Sequence, residues 1–258
     1  MTDRALTWSY GGGTQSVAIA VLVAQGRLPR PELIVIADTG REASETWEYH
    51  ERHTAPLLAS VGQRVEVAPH SLARADMYDA PGGPLLPAYV STGGKLHTYC
   101  SVEWKKRPVQ RYLRQRGYGP RRPVVTWLGM SLDEVGRLRD SDTAWQRLSY
   151  PLCFDVRMTR AECRDLVLRA GLPEPPRSSC WCCPFRRNAQ WRRLRDLYPS
   201  DWGAAVTLDA AIRARDADLG LYLHESRLPL AEADLGEAAE PSTAPLFEAA
   251  CQTGYCWS

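Results

Sequence analysis

Lysine is nearly absent from this chain of 258 residues: Lys95, Lys105 and Lys106 are its lysines, and arginine supplies the rest of the positive charge. Such a skew reflects genome composition more than function. No apolar run approaches the ~20 residues that a helical bilayer span requires, so no membrane partner is expected. No secretory leader precedes the first strand pattern, so a reducing cytoplasm is the expected compartment. There is no internal repeat and no true low-complexity tract. The net charge of +2 gives by itself no reason to expect a nucleic-acid partner. What is present is the composition of an ordinary globule, 44% apolar and 24% charged, with eight cysteines. In a reducing compartment those cysteines point to metal binding or catalysis rather than disulfides. The length admits one α/β domain with an appendage, or two small domains.

The densest signal is Ser9-Tyr10-Gly11-Gly12-Gly13-Thr14-Gln15-Ser16. Leu6 to Trp8 ends a short strand before it, and Val17 to Ala24 is an apolar helix packed on that strand. Strand, glycine turn and helix N-terminus make an anion trap: backbone N–H groups face the turn, the helix dipole adds partial positive charge, and Ser16 offers a hydroxyl. Glycine suits a backbone that takes positive φ or approaches a phosphate closely. The bland alternative is a glycine turn that only joins a strand to a helix. The loop is not a Walker A motif, since no Gly-Lys-Ser/Thr follows, and it is not Gly-x-Gly-x-x-Gly.

The loop resembles that of the PP-loop ATP pyrophosphatases, Ser-Gly-Gly-x-Asp-Ser. Gly12, Gly13 and Ser16 match; Gly11 replaces the first serine and Gln15 replaces the aspartate. A carboxylate there could help hold Mg2+, and an amide holds it poorly. A glutamine-bearing loop is more similar to the phosphoadenosine phosphosulfate (PAPS) reductase branch of that superfamily. The second strand, Leu33 to Ala37, is a continuous apolar run, as in a parallel strand buried on both faces. It ends in Asp38-Thr39-Gly40 with Glu45-Thr46-Trp47 beyond, a pattern similar to that branch. Ligands of doubly wound sheets lie at strand carboxyl ends, so Asp38 and Thr39 are expected at the nucleoside.

Strand and helix patterns alternate to about residue 130. Ser44 to Ser60 reads as a helix, Arg64 to Ala68 as a third strand, Val102 to Arg116 as a basic helix and Pro123 to Gly129 as a fourth strand. Residues 69–99 are rich in Pro and Gly with little periodicity, an excursion over the site or a disordered loop. Thr159 to Ala170 is a helix stopped by Gly171 and Pro173; Asn188 to Tyr198 and Trp202 to Asp216 are two helices broken at Pro199. Glu232 to Glu248 reads as a surface connection. The organisation expected is residues 1–150 as the nucleotide-binding α/β domain, doubly wound with a mostly parallel sheet, and 151–258 as a helical, cysteine-rich region.

Cys180-Trp-Cys-Cys183-Pro and Cys251-Gln-Thr-Gly-Tyr-Cys256 are two pairs whose thiolates could meet on one metal. Zinc and a [4Fe–4S] cluster both suit four thiolates, and spacing does not choose between them. The resemblance favours the cluster, because related adenylating sulfurtransferases and adenylylsulfate reductases hold one near the nucleotide. Cys153 and Cys163 lie in apolar contexts and read as inert core residues. Cys100, followed by Lys105 and Pro108, resembles the family's Cys-x-x-x-x-Lys-x-x-Pro segment. It is expected to be a sulfur-carrying thiol with Lys105 nearby, or else a cluster ligand.

After the fourth strand, Gly129-Met-Ser-Leu-Asp133-Glu134-Val-Gly-Arg137 is similar to the Gly-Ile-Ser-x-Asp-Glu-x-x-Arg segment of PAPS-reductase-like proteins. Asp133 and Glu134 could bind Mg2+, and Arg137 could grip phosphate or sulfate through its guanidinium fork. A capped helix start with a surface ion pair is the simpler reading. Tyr150-Pro-Leu152, Tyr222-Leu-His224 and Pro229-Leu230 continue the resemblance in order, so it spans nearly the whole chain. Arg186-Arg187 with Trp191-Arg192-Arg193 suggests either a single-strand-binding strip or a solvated helix face with tryptophan inside.

The resemblance implies an enzyme that binds ATP, or PAPS, across Ser9, Gly11, Gly12, Gly13, Gln15 and Ser16, with Gly129, Asp133 and Glu134 lining the same site. Arg137, Lys105 and Cys100 are its expected catalytic groups. It would release AMP and pyrophosphate while moving sulfur to a nucleic acid or small molecule. A cysteine desulfurase or thioredoxin is the expected sulfur-handling partner. The alternatives are a PAPS or adenylylsulfate reductase releasing sulfite, and a zinc-stabilised nucleic-acid-binding module with a degenerate loop.

Overall fold

The computed structural model describes residues 4–69, 78, 82–97 and 99–236. Five parallel strands form the main sheet: β1 (Ala5–Ser9), β2 (Leu33–Ala37), β3 (Val65–Ala68), β5 (Val124–Leu128) and β6 (Gln146–Ser149), in the order β3-β2-β1-β5-β6. The chain moves outward from β1 to β3, then returns to β5 on the other side of β1, so the switch point of a doubly wound sheet lies beside β1. Trp8 pairs with Ile34 on one side and with Trp127 on the other, which aligns the carboxyl ends of the three central strands.

The continuous apolar strands are what burial on two faces demands. On one face Trp8, Ile34, Ile36 and Trp127 pack with helix α1 (Thr14–Ala24) and helix α6 (Arg160–Arg169). Val17 to Val23 of α1 are at most 1% exposed, so this helix has no polar face to give. Each of its larger aliphatic side chains contributes roughly 1.5–3 kcal/mol by burial. On the opposite face Ala5, Val35 and Val124 pack with Val109 and Leu113 of helix α4 (Arg107–Gln115). Helix α6 starts where Thr159 and Glu162 form a reciprocal capping box.

The expected helix over 44–60 is helix α2 (Ser44–Tyr49), a π-helical turn (His50–Thr54) and helix α3 (Ala55–Ala59). The basic helix likewise opens with a π-helical turn, Val102–Lys106, ahead of α4. Pro199 does not break a helix but begins one: helix α8 is Pro199–Arg215, after helix α7 (Asn188–Leu197), because proline lacks only an N–H that the first turn does not need. Strand β6 was absent from the sequence reading; Gln146 to Ser149 alternates too weakly to signal it. Among the described residues no helix is long and apolar enough to cross a membrane.

Two compact units divide the chain. The described residues of 4–69 and 101–178 form the first, and those of 78–100 and 179–236 form the second. The second unit holds a two-stranded antiparallel sheet, β4 (Tyr89–Val90) with β7 (Leu221–Tyr222), beside α7 and α8. Trp191 is fully buried and meets Trp202 edge to face, with ring centroids 6.3 Å apart. Residues 237–258, which include Cys251, Cys256 and most of the Glu232 to Glu248 connection, lie outside the described residues.

Candidate functional site

The first unit gathers its polar residues at the carboxyl ends of β1, β2 and β5. Gly12 has φ +77°, a left-handed backbone that favours glycine, and a Cβ there would stand 2.5 Å from Thr46 Cγ2. Gly11 N–H donates to Ser16 Oγ at 3.0 Å, so the loop closes on the first turn of α1. Gly13 is the N-cap, and its carbonyl accepts from Val17 N–H at 2.9 Å. Gln15 and Ser16 are buried, at 1% and 6% exposure. At Gly129 an added Cβ would lie 3.2 Å from Ser16 Oγ, a tight contact that would make the hydroxyl give by a few tenths of an ångström.

The segment after β5 is a 3-10 turn, Leu132–Arg137, rather than the start of a longer helix. Gln15 Nε2 donates to Glu134 Oε2 at 2.9 Å, and the Arg137 guanidinium pairs with the other oxygen. Asp133 Oδ2 accepts from Arg160 N–H at 2.5 Å and faces Ser131 Oγ at 3.4 Å. Burial pushes the Glu134 carboxyl up, against the pull of Arg137, Arg160 and the Gln15 amide. The donor set therefore argues against the expected Mg2+ site. Glu134 is engaged on both oxygens by N–H donors, one of them a guanidinium, and Gln15 turns its amide nitrogen to that carboxylate.

Beyond β2, Asp38 Oδ1 accepts from Gly40 N–H at 2.7 Å and Thr39 Oγ1 accepts from Arg41 N–H at 3.1 Å. These bonds shape the Asp-Thr-Gly turn itself. Two residues that the sequence reading missed complete the cluster. Glu42 is buried and pairs with Lys105 Nζ at 3.2 Å, and Ser178 donates to the Gly11 carbonyl. Their only sequence signal is position, Glu42 just past the strand end and Ser178 just before the Cys180 motif. Arg41 stacks over Trp104, 4.6 Å from the ring centroid. Ser9 is set apart from its neighbours. It lines a small pocket with Lys106, Gln110, Thr126, Ser141 and Gln146, beneath α4.

In the second unit Cys180 and Cys183 share a tight turn, Cys183 N–H donating to the Cys180 carbonyl at 3.1 Å. Cys100 is half-buried, and its N–H donates to the Leu85 carbonyl at 3.2 Å. Among the described residues no group of three or more His, Cys, Asp or Glu could hold a metal ion. The four-thiolate expectation thus turns on Cys251 and Cys256, which lie outside them. In the basic and aromatic stretch the tryptophan is core, and two of the arginines bond to main-chain carbonyls. Arg186 is buried on the Cys180 and Ser179 carbonyls, Arg192 donates to the Leu235 carbonyl, and Trp191 is core.

Cys153 and Cys163 are buried, and burial pushes their thiols up to about 11 and about 12. At pH 8 the thiolate fraction at Cys153 is then roughly one in a thousand. Iodoacetamide on the native protein is expected to leave both unmodified while labelling the half-exposed Cys100, as peptide mass spectrometry would read. Rapid native labelling of Cys153 or Cys163 would contradict that burial.

No protein-family model matches the chain. No curated protein matches it in sequence. Among solved structures the chain is similar to a phosphoadenylyl-sulfate (PAPS) reductase from Candida auris, determined as a phosphate complex. The identity is 12% and the TM-score 0.46, with 70% of this chain and 83% of that one covered.

Proposed function

We propose that this protein is an enzyme that binds an adenine nucleotide across the loop of residues 11–16 and uses it in sulfur transfer. The observation that carries the reading is the loop itself. A left-handed Gly12 packed on Thr46 leads into the N-terminus of α1 at the switch point of a parallel sheet, where backbone N–H groups and the helix dipole favour phosphate. Lys105 and Arg137 supply positive charge in the same unit. In the leading version ATP adenylates an acceptor oxygen and pyrophosphate leaves; the outer sulfur of a Cys100 persulfide then displaces AMP, and attack of a second thiol on Cys100 releases the sulfurated acceptor and leaves a disulfide. The acceptor is a nucleic acid or a small molecule. Cys180, Cys183, Cys251 and Cys256 would hold a [4Fe–4S] cluster, or zinc, which would organise thiolate chemistry.

One observation favours a second version. Gln15 and Arg137 occupy the Glu134 carboxylate that a nucleotide-bound Mg2+ would want. A PAPS or adenylylsulfate reductase, whose substrate already carries activated sulfur, fits that donor set better. A single anaerobic preparation separates the versions. Iron, zinc and sulfide are measured, the visible spectrum is recorded, and ATP and PAPS are titrated separately with and without Mg2+. ATP binding with pyrophosphate exchange and absorbance near roughly 400 nm is the result expected of an adenylating sulfurtransferase. PAPS binding with sulfite release to thioredoxin supports the reductase. Zinc with no binding of either nucleotide would overturn both.

A further inference from the structure

Glu42 lies two residues past the Asp38-Thr39-Gly40 turn, and its side chain is 3% exposed. Its oxygens have separate partners: Oε2 is 3.2 Å from Lys105 Nζ, and Oε1 is 3.0 Å from Ser178 Oγ. Ser178 is fully buried, and its single hydroxyl proton is shared between two acceptors, the Glu42 carboxylate and the Gly11 carbonyl. Four separate stretches of chain therefore meet at one carboxylate: the glycine loop, the exit of β2, the π-helical turn before α4, and the end of the first unit. Burying a carboxylate with an ammonium adds little stability compared with apolar packing. Position, rather than folding energy, explains the cluster.

The bond to Gly11 has a direct consequence for the loop. In a trans peptide the carbonyl and the following N–H point in opposite directions. Tying back the Gly11 carbonyl thus fixes the direction of the Gly12 N–H. The Gly11 N–H is already engaged by Ser16. The N–H groups of the loop are aimed before any ligand arrives, which is where preorganised donors are worth most.

We propose that Glu42 is a positioning residue of the glycine loop, holding the Lys105 ammonium and the Ser178 hydroxyl against residues 11–16 so that the loop is set for a phosphate. The inference rests on the nucleotide reading given above, and it adds a residue that the Cys-x-x-x-x-Lys and Gly-Gly-Gly motifs do not contain. Lys105 is held by Glu42 rather than left to rotate, and Ser178 links the loop to the same carboxylate.

The test uses the full chain. Pyrophosphate binding is measured by calorimetry for wild type, E42Q, K105M and E42Q/K105M, and amide exchange of the peptide spanning 10–17 is measured without ligand. E42Q is expected to weaken pyrophosphate about tenfold, and less than about threefold in the K105M background, because a residue acting through Lys105 is not additive with its loss. S178A is expected to speed exchange of the loop amides by about fivefold or more, and S178T, which keeps the hydroxyl, to restore it. Should E42Q fail to fold, the S178A and S178T pair carries the test alone. Additive E42Q and K105M effects, or loop exchange untouched by S178A, would overturn the proposal. Wild-type binding that E42Q leaves intact overturns it while sparing the nucleotide reading. Wild type that binds neither pyrophosphate nor ATP overturns that reading, and the inference with it.

Discussion

Gly12→Ala is expected to remove nucleotide binding and to lower the melting midpoint of the whole protein. Two separate costs meet at this position. An L-residue in the left-handed region at φ +77° costs roughly 1–2 kcal/mol. The new Cβ would also stand 2.5 Å from Thr46 Cγ2, and Thr46 is fully buried, so its methyl has no solvent to swing into. Overpacking of that kind costs roughly 1–3 kcal/mol. Together they amount to roughly 2–5 kcal/mol, or a midpoint lower by roughly 4–20 °C for a protein of this size. Scanning calorimetry reads the shift, and titration with ATP and PAPS reads the loss. The partner change separates the two costs. Thr46→Ser deletes the offending methyl, so G12A/T46S is expected to regain the steric share and keep the backbone share. An alanine variant that melts and binds like wild type would mean that the loop does not have this backbone.

The loop was legible in the sequence because its signals are local. Three glycines between an apolar strand and an apolar helix leave few alternatives, and the buried runs at 17–24 and 33–37 have one reading in a sheet covered on both faces. Asp133, Glu134 and Arg137 were singled out for the same reason, as charges packed at a strand end. Their partners were not legible. That the Gln15 amide would take the Glu134 carboxylate, leaving no evident place for Mg2+, depends on two residues 119 positions apart. Glu42 and Ser178 escaped for a similar reason: neither belongs to a motif, and they meet only after the chain has crossed the sheet twice. Strand β6 escaped because Gln146 and Arg147 do not look like a strand; Gln146 is buried and spends its amide on Thr126 and Gln110 instead of on solvent. The small sheet of β4 and β7 has two residues per strand, below the length at which period-2 alternation means anything. Pro199 misled because proline as a breaker and proline as a first helical residue look alike in sequence, and only the geometry of Tyr198 ahead of it separates them.

The second unit has its own expected failure point, Asp209 on α8. This carboxylate is 1% exposed and accepts from Leu223 N–H at 2.8 Å, from Leu230 N–H at 3.0 Å and from Arg213 Nε at 3.1 Å. It thereby ties both the segment after β7 and the 3-10 turn at Leu230–Glu232 to the middle of a helix. Asp209→Ala leaves two buried N–H groups and a guanidinium without their acceptor, at an expected cost of roughly 3–5 kcal/mol. Asparagine does not fully repair this, since one oxygen becomes an NH2 group facing another donor, and at best the two bonds to Oδ2 survive while that to Leu223 N–H is lost. Amide exchange locates the damage: protection is expected to fall in peptides from α8 and residues 221–232 while β1, β2 and β5 keep theirs. The same opening reaches the thiols. Cys182 is fully buried in this unit, and Arg186 binds the carbonyls just before it. Alkylation of Cys182 is therefore expected to be slow in wild type and faster by about a hundredfold in D209A, in line with a comparable loss of local stability. Unchanged Cys182 labelling, with exchange raised only at residues 221–232, would show that Asp209 anchors the strand segment alone and that the cysteine turn is held by other means.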